Sequence, residues 1–169
     1  LILCNIFAPF EYLKSEENFK DDIRDNKFEK ILKSDELVKI GLDNIDQKNY
    51  KNAIIFFNKA SKIDPTNSDA YFYKAFVKDI IGDFEGAIED YSKALEIDPE
   101  YYLGFTRRGD AKYYLKDYEG AIEDYSKALE IDPKNCAAKH YRGCAKYYFK
   151  DYEGAIKDYS EVLEIDPKN

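Results

Sequence analysis

The sequence YEGAIEDYSKALEIDP, residues 118–133, occurs three times in this chain with few changes and once in a diverged form. Residues 84–99 and 152–167 are near copies, and residues 50–65, YKNAIIFFNKASKIDP, are a diverged copy. The proline that ends each copy recurs every 34 residues, at Pro65, Pro99, Pro133 and Pro167. Such a period predicts one small supersecondary unit that stacks on itself.

Each repeat is predicted to contain two helices, A and B, in units 34–67, 68–101, 102–135 and 136–169. In the third unit, apolar periodicity predicts helix A from about Leu103 to Leu115 and helix B from Tyr118 to Ile131. The breaks between the helices contain Gly82-Asp83, Lys116-Asp117 and Lys150-Asp151. Because glycine tolerates the left-handed end of a helix and aspartate caps the next one, these pairs predict tight turns.

Small and aromatic residues alternate at fixed positions of the repeat. The small ones are Ala53, Ala87, Ala121 and Ala155, then Ala60, Ala94 and Ala128, with Gly41, Gly109 and Gly143 and, in the second unit, Ala75. The aromatic ones are Tyr50, Phe84, Tyr118 and Tyr152, then Phe57, Tyr91, Tyr125 and Tyr159. Small residues allow close helix packing, so we interpret the aromatics as their core partners and not as a cofactor box.

This pattern of Gly, Ala, aromatic and Pro resembles the tetratricopeptide repeat over residues 34–169. The resemblance implies an all-α fold, an α-solenoid of stacked antiparallel helix pairs that form a right-handed superhelix. It also implies a non-catalytic scaffold that binds a peptide or protein partner in its concave groove. Lys139 departs from the family pattern, which usually has an aromatic residue there.

Residues 1–33 do not match the repeat, and apolar spacing predicts one amphipathic helix from Phe10 to Lys33. Helix A of the first unit, LVKIGLDNI at residues 37–45, is apolar on more than one side. Terminal helices normally keep a polar outer face. We therefore predict that residues 1–33 fold over this helix as a cap. At the other end, we expect either further repeats or self-association through an uncapped last repeat.

The family binds its partners through helix A, and carrying its groove positions onto this chain gives a mixed groove with aromatic anchors. The predicted groove residues are Asp69, Phe72, Phe76, Asp79, Thr106, Asp110, Tyr113, His140, Cys144 and Tyr147. The alternative is that some of these side chains only fill gaps between repeats or contact residues 1–33.

One subset of the family clamps the C-terminal carboxylate of chaperones with Lys and Asn side chains. The corresponding positions here hold Val38, Leu42, Tyr73, Leu103 and Arg107, or, one repeat later, Phe72, Phe76, Arg107, Ala137 and Tyr141. Neither set forms a carboxylate trap, which disfavours a chaperone-tail partner.

Basic pairs at helical spacing, such as Arg108 and Lys112, recur in successive helices A and could form a phosphate-attracting stripe. A buried arginine needs a partner, however, and helices B carry aspartates at one repeated position. We therefore predict two inter-repeat ion pairs, Asp90–Arg108 and Asp124–Arg142.

The composition of the chain argues against several classes of function. The net charge is −8 and the estimated pI 4.8, which argues against a nucleic-acid partner because such proteins need a basic face. With one histidine and no CxxC pair, we expect neither a metal site nor a cofactor. His140 has no catalytic companions, and glycines recur at the repeat spacing and not in a phosphate loop. An enzyme is therefore not expected.

Three cysteines, Cys4, Cys136 and Cys144, form no disulfide framework. Free buried thiols favour a reducing, cytoplasmic location. The apolar stretch LILCNIFAPF at residues 1–10 is too short to span a bilayer, and we interpret it as a packing segment. Its alternative, the remnant of a signal segment, would make the protein exported or membrane-anchored.

Two further functions remain open beside partner binding. Near-identical repeats with an acidic surface also suit a structural or self-assembling spacer segment of a larger multi-repeat protein. The array could also regulate an enzymatic domain elsewhere in a longer chain.

Overall fold

A computed structural model describes the backbone of residues 8–165 and the side chains of residues 26–164. The described part of the chain contains eight helices, which confirms the all-α prediction. They are α1 (Ala8–Asp46), α2 (Tyr50–Ile63), α3 (Ser68–Ile80), α4 (Phe84–Ile97), α5 (Tyr102–Tyr114), α6 (Tyr118–Ile131), α7 (Cys136–Tyr148) and α8 (Tyr152–Ile165).

The helices stack as antiparallel pairs, α1 with α2, α3 with α4, α5 with α6 and α7 with α8. Each pair packs on the next through α2–α3, α4–α5 and α6–α7. The odd-numbered helices also contact each other in succession, whereas the described even-numbered helices make no such contact. The stack therefore curves with α1, α3, α5 and α7 on its concave side.

The turns inside the second, third and fourth pairs use a left-handed residue followed by a capping aspartate, as predicted, whereas Asn49 of the first pair makes no side-chain cap. Gly82 has φ 83°, and Lys116 and Lys150 adopt the same region with φ 64° and 71°. Asp83 then accepts a hydrogen bond from the Gly86 N–H, and the equivalent aspartates of the third and fourth units do the same. The two lysines adopt a left-handed backbone conformation that is unfavourable for residues with a Cβ atom. A glycine at either position would avoid this free-energy cost.

The core consists of the small residues and one of the two aromatic series. Phe57, Tyr91 and Tyr125 are fully buried against the repeated alanines. Gly109 is required where Tyr125 passes, because a Cβ atom there would lie 2.9 Å from the ring's Cε1. Close packing of this kind makes the helix pair intolerant of added volume.

The second aromatic series differs from the prediction, because it lies at the edge of the stack. Phe84 and Tyr118 are half-buried, and each stacks on a tyrosine of the following odd-numbered helix. The ring centroids of Phe84 and Tyr114 are 4.9 Å apart, and those of Tyr118 and Tyr148 are 5.3 Å apart. These residues join neighbouring units and do not belong to the core.

The non-repeat segment forms no separate helix folded over the first unit, because α1 is continuous from Ala8 to Asp46. Residues 10–40 contain neither glycine nor proline, so nothing in the sequence ends the helix before the first unit begins. The side chains of residues 26–30 are exposed. That residues 1–33 stabilise the array as a cap stays a prediction, and residues 1–7 lie outside the described part.

Ser34 marks the point at which α1 enters the stack. It is fully buried, and its hydroxyl donates to the Ala60 carbonyl at 3.1 Å. The Asn67 amide donates to Ser34 Oγ and to Asp35 Oδ1, at 3.0 and 2.9 Å. These bonds join α1 to the C-terminal part of α2, through Ala60, and to Asn67, the residue that caps α3.

The predicted inter-repeat ion pairs are wrong, because the arginines pair within their own unit. Arg108 donates from Nε and Nη2 to both oxygens of Asp124, at 2.9 and 2.6 Å. Arg142 binds Asp158 with the same geometry. The guanidinium reaches its own helix B, sixteen residues further along, and contacts the preceding unit only through a serine: Arg108 Nη1 donates to Ser92 Oγ at 2.9 Å.

Asp90, which was expected to bind Arg108, pairs with two lysines of its own unit. Lys74 Nζ lies 2.8 Å from Asp90 Oδ1, and Lys78 Nζ lies 2.8 Å from Oδ2. The geometry of the Lys78 contact leaves Oδ2 without a hydrogen bond. Lys139, the departure from the family pattern, forms an ion pair with Glu161 at 2.8 Å and so joins α7 to α8.

Candidate partner-binding groove

A cavity of about 480 Å³ opens on the concave side between α3 and α5. Phe76, Asp79 and Ile80 contribute from α3, and Arg107, Asp110, Tyr113 and Tyr114 contribute from α5; Phe84 of α4 and Tyr141 of α7 complete the wall. Four of these nine residues were predicted from sequence, namely Phe76, Asp79, Asp110 and Tyr113.

The cavity contains two carboxylates and one guanidinium. Arg107 Nη1 donates to Asp110 Oδ2 at 3.3 Å, and the Arg107 guanidinium lies 5.6 Å from the centroid of the Phe76 ring. Asp79 Oδ1 is closed off from solvent and has no hydrogen-bond partner among the described residues. The Arg107 guanidinium therefore binds Asp110 directly and makes no hydrogen bond to Asp79, so two carboxylates in the cavity share one cation.

Burial, together with the nearby negative charge of Asp110, raises the pKa of Asp79 to about 6, and the positive charge of Arg107 opposes this rise. Burial also raises the pKa of Asp110, although Tyr125 and Arg107 both donate hydrogen bonds to that carboxylate. The cavity thus holds two acids in an environment that disfavours their charged forms. A bound cation would reverse this penalty.

Two tyrosines at the same repeat position differ in their partners near this cavity. The Tyr125 hydroxyl donates to Asp110 Oδ1 at 2.8 Å. Tyr91 in the preceding unit is fully buried, and its hydroxyl has no partner among the residues that the structure describes, because Phe76 occupies the position that Asp110 has in the third unit. The charges of Asp79, Arg107 and Asp110 act on the Tyr91 hydroxyl, although Tyr91 itself does not line the cavity.

A smaller cavity of about 300 Å³ continues the groove between α1 and α3. It contains the predicted residue Asp69 together with Asp35, Val38, Lys39, Leu42 and Tyr73. Asp69 accepts a hydrogen bond from the Tyr101 hydroxyl at 3.2 Å. The concave side therefore carries several carboxylates along α1, α3 and α5.

Two predicted groove residues are buried and are not available to a partner. Phe72 packs between the rings of Tyr91 and Tyr101, with centroid distances of 5.5 and 4.7 Å. Thr106 is also buried, and its hydroxyl donates to the Tyr102 carbonyl at 3.0 Å. Phe72 thus belongs to the core of its own unit, and Thr106 is hydrogen-bonded within its own helix.

The predicted residues of α7 do not line the main cavity. Cys144 Sγ accepts a hydrogen bond from the Tyr159 hydroxyl at 3.4 Å and lies 3.7 Å from His140 Nε2. Tyr147 is exposed and packs against Tyr148 and Tyr152. Cys136 and Cys144 are both free and half-buried, whereas Cys4 lies outside the described residues.

Sequence reasoning missed five residues of the cavity wall: Ile80, Phe84, Arg107, Tyr114 and Tyr141. Arg107 and Tyr141 occupy one repeat position, which the carboxylate-clamp comparison used and the general groove set did not. Ile80 and Tyr114 also share one position, next to the predicted Asp79 and Tyr113 on their helices. Phe84 belongs to a helix B and carried no groove signal.

No group of three or more His, Cys, Asp and Glu side chains in the described part of the chain could hold a metal ion. None of the described helices combines the length and apolar character needed to cross a membrane.

Models of the tetratricopeptide repeat match four consecutive segments of the chain. They cover residues 38–67, 68–101, 102–135 and 136–169. No catalytic family matches, and no curated protein sequence gives a significant match.

Solved structures with the same fold include MamA, with a TM-score of 0.75 and 22% identity over 94% of this chain and 88% of that one. The first tetratricopeptide domain of Spaghetti, bound to an HSP90 peptide SRMEEVD, gives a TM-score of 0.69 and 26% identity. That match covers 70% of this chain and 94% of the domain. The Arabidopsis OM64 tetratricopeptide domain gives a TM-score of 0.68 and 26% identity, and covers 70% and 98%.

Proposed function

Because this chain belongs to the tetratricopeptide repeat family, whose domains generally mediate protein interactions, we propose that it binds a peptide or protein segment along its concave groove. The observation that carries the proposal is the aromatic cavity between α3 and α5. Aromatic side chains on a rigid scaffold supply large contact area at low entropic cost, and such residues dominate binding energy. The proposed role is non-catalytic.

The acidic peptide in the Spaghetti structure is not a good guide to the partner of this chain. Here the concave side carries Asp69, Asp79 and Asp110, and its Arg107 is already engaged by Asp110. An acidic segment would meet excess negative charge in this groove.

The test is selection of random dodecapeptides on the full chain, followed by titration calorimetry with the selected peptides. Tyr114→Ala removes an exposed ring from the cavity wall, and we expect it to weaken binding about tenfold or more. Tyr148→Ala is the matched control, because Tyr148 has the same repeat position and a similar stacking partner but does not line the cavity. Equal losses in both variants would contradict binding at this site.

We propose self-association as the alternative, and the face of α8 favours it. Tyr152, Ile156 and Leu163 are 54%, 66% and 53% exposed. Their equivalents on α6, Tyr118, Ile122 and Leu129, are half-buried or buried where α7 packs on that helix. A second copy that covered this face would bury the same apolar surface.

Sedimentation velocity between about 1 and 200 µM tests this alternative in a range where weak dimers dissociate. A concentration-dependent rise in mass that Ile156→Glu abolishes would support it. Ile55→Glu, at an exposed isoleucine of α2, is the control and is expected to leave the mass unchanged. A monomer throughout the range would contradict it.

A further inference from the structure

We propose that the cavity between α3 and α5 recognises a lysine or arginine side chain of the bound segment, with Asp79 as its ion-pair partner and the tyrosines as an aromatic enclosure. This inference rests on the proposed function, because it names the chemistry that the groove would select. It depends on the unpaired acid, the buried hydroxyl beside it and the rings around them.

The residues that line the cavity carry more negative than positive charge. Asp79 and Asp110 face a single cation, and Arg107 lies against Asp110 and over Phe76. One carboxylate is therefore left without a counterion, although Asp79 Oδ1 is closed off from water. Asp79 is half-buried, and an acid with one oxygen closed off and no partner there is costly; a cation from a ligand would offset that cost.

The Tyr91 hydroxyl is a second polar group that the carboxylates of the cavity influence. Tyr91 is fully buried, and its hydroxyl has no hydrogen-bond partner among the described residues. It lies within the electrostatic reach of Asp79 and Asp110. Buried polar groups in folded proteins are normally satisfied, so this hydroxyl is a second unsatisfied polar group under the influence of the cavity carboxylates, although Tyr91 does not itself line the cavity.

Aromatic rings enclose the cavity. Phe76, Phe84, Tyr113, Tyr114 and Tyr141 supply five rings to the wall of a cavity of about 480 Å³. Ring faces attract cations through their quadrupoles, and they also cover the methylene stem of a lysine or arginine. An anionic side chain would lose both interactions and would be repelled by Asp79.

The proposal is tested first with small probes, using the full chain and two-dimensional NMR of its amides. The probes are n-butylammonium and n-butylguanidinium chloride, which mimic the two side chains, and sodium n-butyrate as the anionic control. We expect both cations to shift amide resonances in α3 and α5 saturably, and n-butyrate to leave them unchanged. Saturable binding of n-butyrate at the same residues, or no binding of either cation, would overturn the proposal.

Asp79→Asn keeps the shape of the side chain and removes its charge, so we expect it to weaken cation binding about tenfold. Glu89→Gln is the matched control, because it removes one negative charge from an exposed position on α4 outside the cavity. If both variants weaken binding equally, the effect is one of net charge and the proposal is wrong.

Cation affinity should also rise between pH 5 and pH 7, because Asp79 ionises over this range when the probe is absent. The charged groups that act on it are Asp110 and Arg107 of α5, and Asp79 in turn acts on the Tyr91 hydroxyl of α4. Asp79→Asn should flatten this dependence, and the comparison is made in a His140→Gln background, which removes the only histidine of the chain. An unchanged pH profile in Asp79→Asn would contradict the assignment.

Peptide selection on the full chain separates this inference from the function it rests on. Selected peptides that contain Lys or Arg and bind about tenfold more weakly to Asp79→Asn would support both. Peptides that bind the groove without a basic residue, and equally well to Asp79→Asn, would overturn the inference and leave the proposed function standing. Cation binding at Asp79 without any selected peptide would contradict the proposed function alone.

Discussion

The second and third units are built on almost the same helix B but differ in helix A. The sequences of α4 and α6 differ only at their first residue, Phe84 against Tyr118. The carboxylate of Asp124 receives a two-pronged arginine and a lysine, whereas its counterpart Asp90 receives two lysines. Helix B is therefore a constant scaffold, and helix A decides what each buried polar group of that scaffold contacts.

The same contrast explains where the candidate site lies. Asp110 of α5 accepts a hydrogen bond from the tyrosine of its own helix B, whereas Phe76 at that position of α3 cannot. The unit in which helix A leaves a hydroxyl unsatisfied also contributes the unpaired Asp79. Where helix A departs from the repeat pattern, some buried polar groups lose their hydrogen-bond partners. The same departures create a surface that can recognise a ligand.

The largest expected difference between the two units concerns their buried carboxylates. Asp124→Ala leaves the guanidinium of Arg108 without its partner in a largely buried position, and we expect a loss of about 3–5 kcal/mol in unfolding free energy. Asp90→Ala should cost about 1–2 kcal/mol, because flexible lysine stems can redirect their ammonium groups to water. Urea denaturation followed by circular dichroism measures both, and equal losses would show that the type of cation is irrelevant.

Position-matched tyrosines give the next largest difference. Tyr125→Phe removes the donor to Asp110 and should lower the unfolding free energy by about 1–3 kcal/mol. Tyr91→Phe removes a hydroxyl that has no partner, so it should be neutral or stabilising by up to about 1 kcal/mol. The same urea titration provides the measurement. A clear loss in Tyr91→Phe would mean that its hydroxyl has a partner in solution and would weaken the case for an empty cation site.

The repeat architecture could be predicted well from the sequence. The residues that recur every 34 positions are packing residues, and their role follows from their spacing along the helices. Ala121, Tyr125 and Asp117 each occupy the place that the repeat pattern predicts. The ion pairs were wrong because sequence spacing does not show whether Arg108 points to its own helix B or to the preceding one. The groove set also misplaced Phe72, which is buried in the core of its own unit, and left out Tyr141, which lines the cavity, because the sequence of one helix does not show which neighbouring residues cover its side chains.

The continuity of α1 could have been predicted more closely. Residues 66–67, 100–101 and 134–135 follow a proline and precede α3, α5 and α7, whereas no proline or glycine stands between residues 10 and 40. Without such a signal, helix A of the first unit has no reason to begin where its counterparts begin. The repeat boundary at residue 34 is a boundary of packing, at the buried Ser34, and not of secondary structure.

A smaller effect is expected from Asp79, whose raised pKa means that the folded state binds a proton more tightly than the unfolded state. Between about pH 4 and pH 6 the unfolded chain releases this proton first, so stability contributed by protonated Asp79 is lost as pH rises through that window. Asp79→Asn should therefore be about 1 kcal/mol more stable than the natural chain at pH 7.5, after allowance for solvent screening. At pH 4 the two should be equal.

Urea midpoints of both proteins at the two pH values provide that measurement. Asp110 and Arg107, the two charged groups that act on Asp79, are present in both proteins, so the comparison isolates the Asp79 carboxylate and its coupling to them. Glu89→Gln serves again as the control for loss of a charge at the surface, and a matching gain there at pH 7.5 would assign the effect to net charge.

The smallest expected difference lies in the turns. Lys116 adopts φ 64° at the position where the second unit has Gly82 at φ 83°. Lys116→Gly should stabilise the third unit by about 0.5–1 kcal/mol, because glycine adopts the left-handed conformation without a steric penalty, which outweighs its greater freedom in the unfolded chain. Gly82→Lys should destabilise the second unit by a similar amount, although no atom crowds its Cβ position. Thermal midpoints of the two variants measure the pair, and changes of the same sign in both would show that the backbone conformation is not the cause.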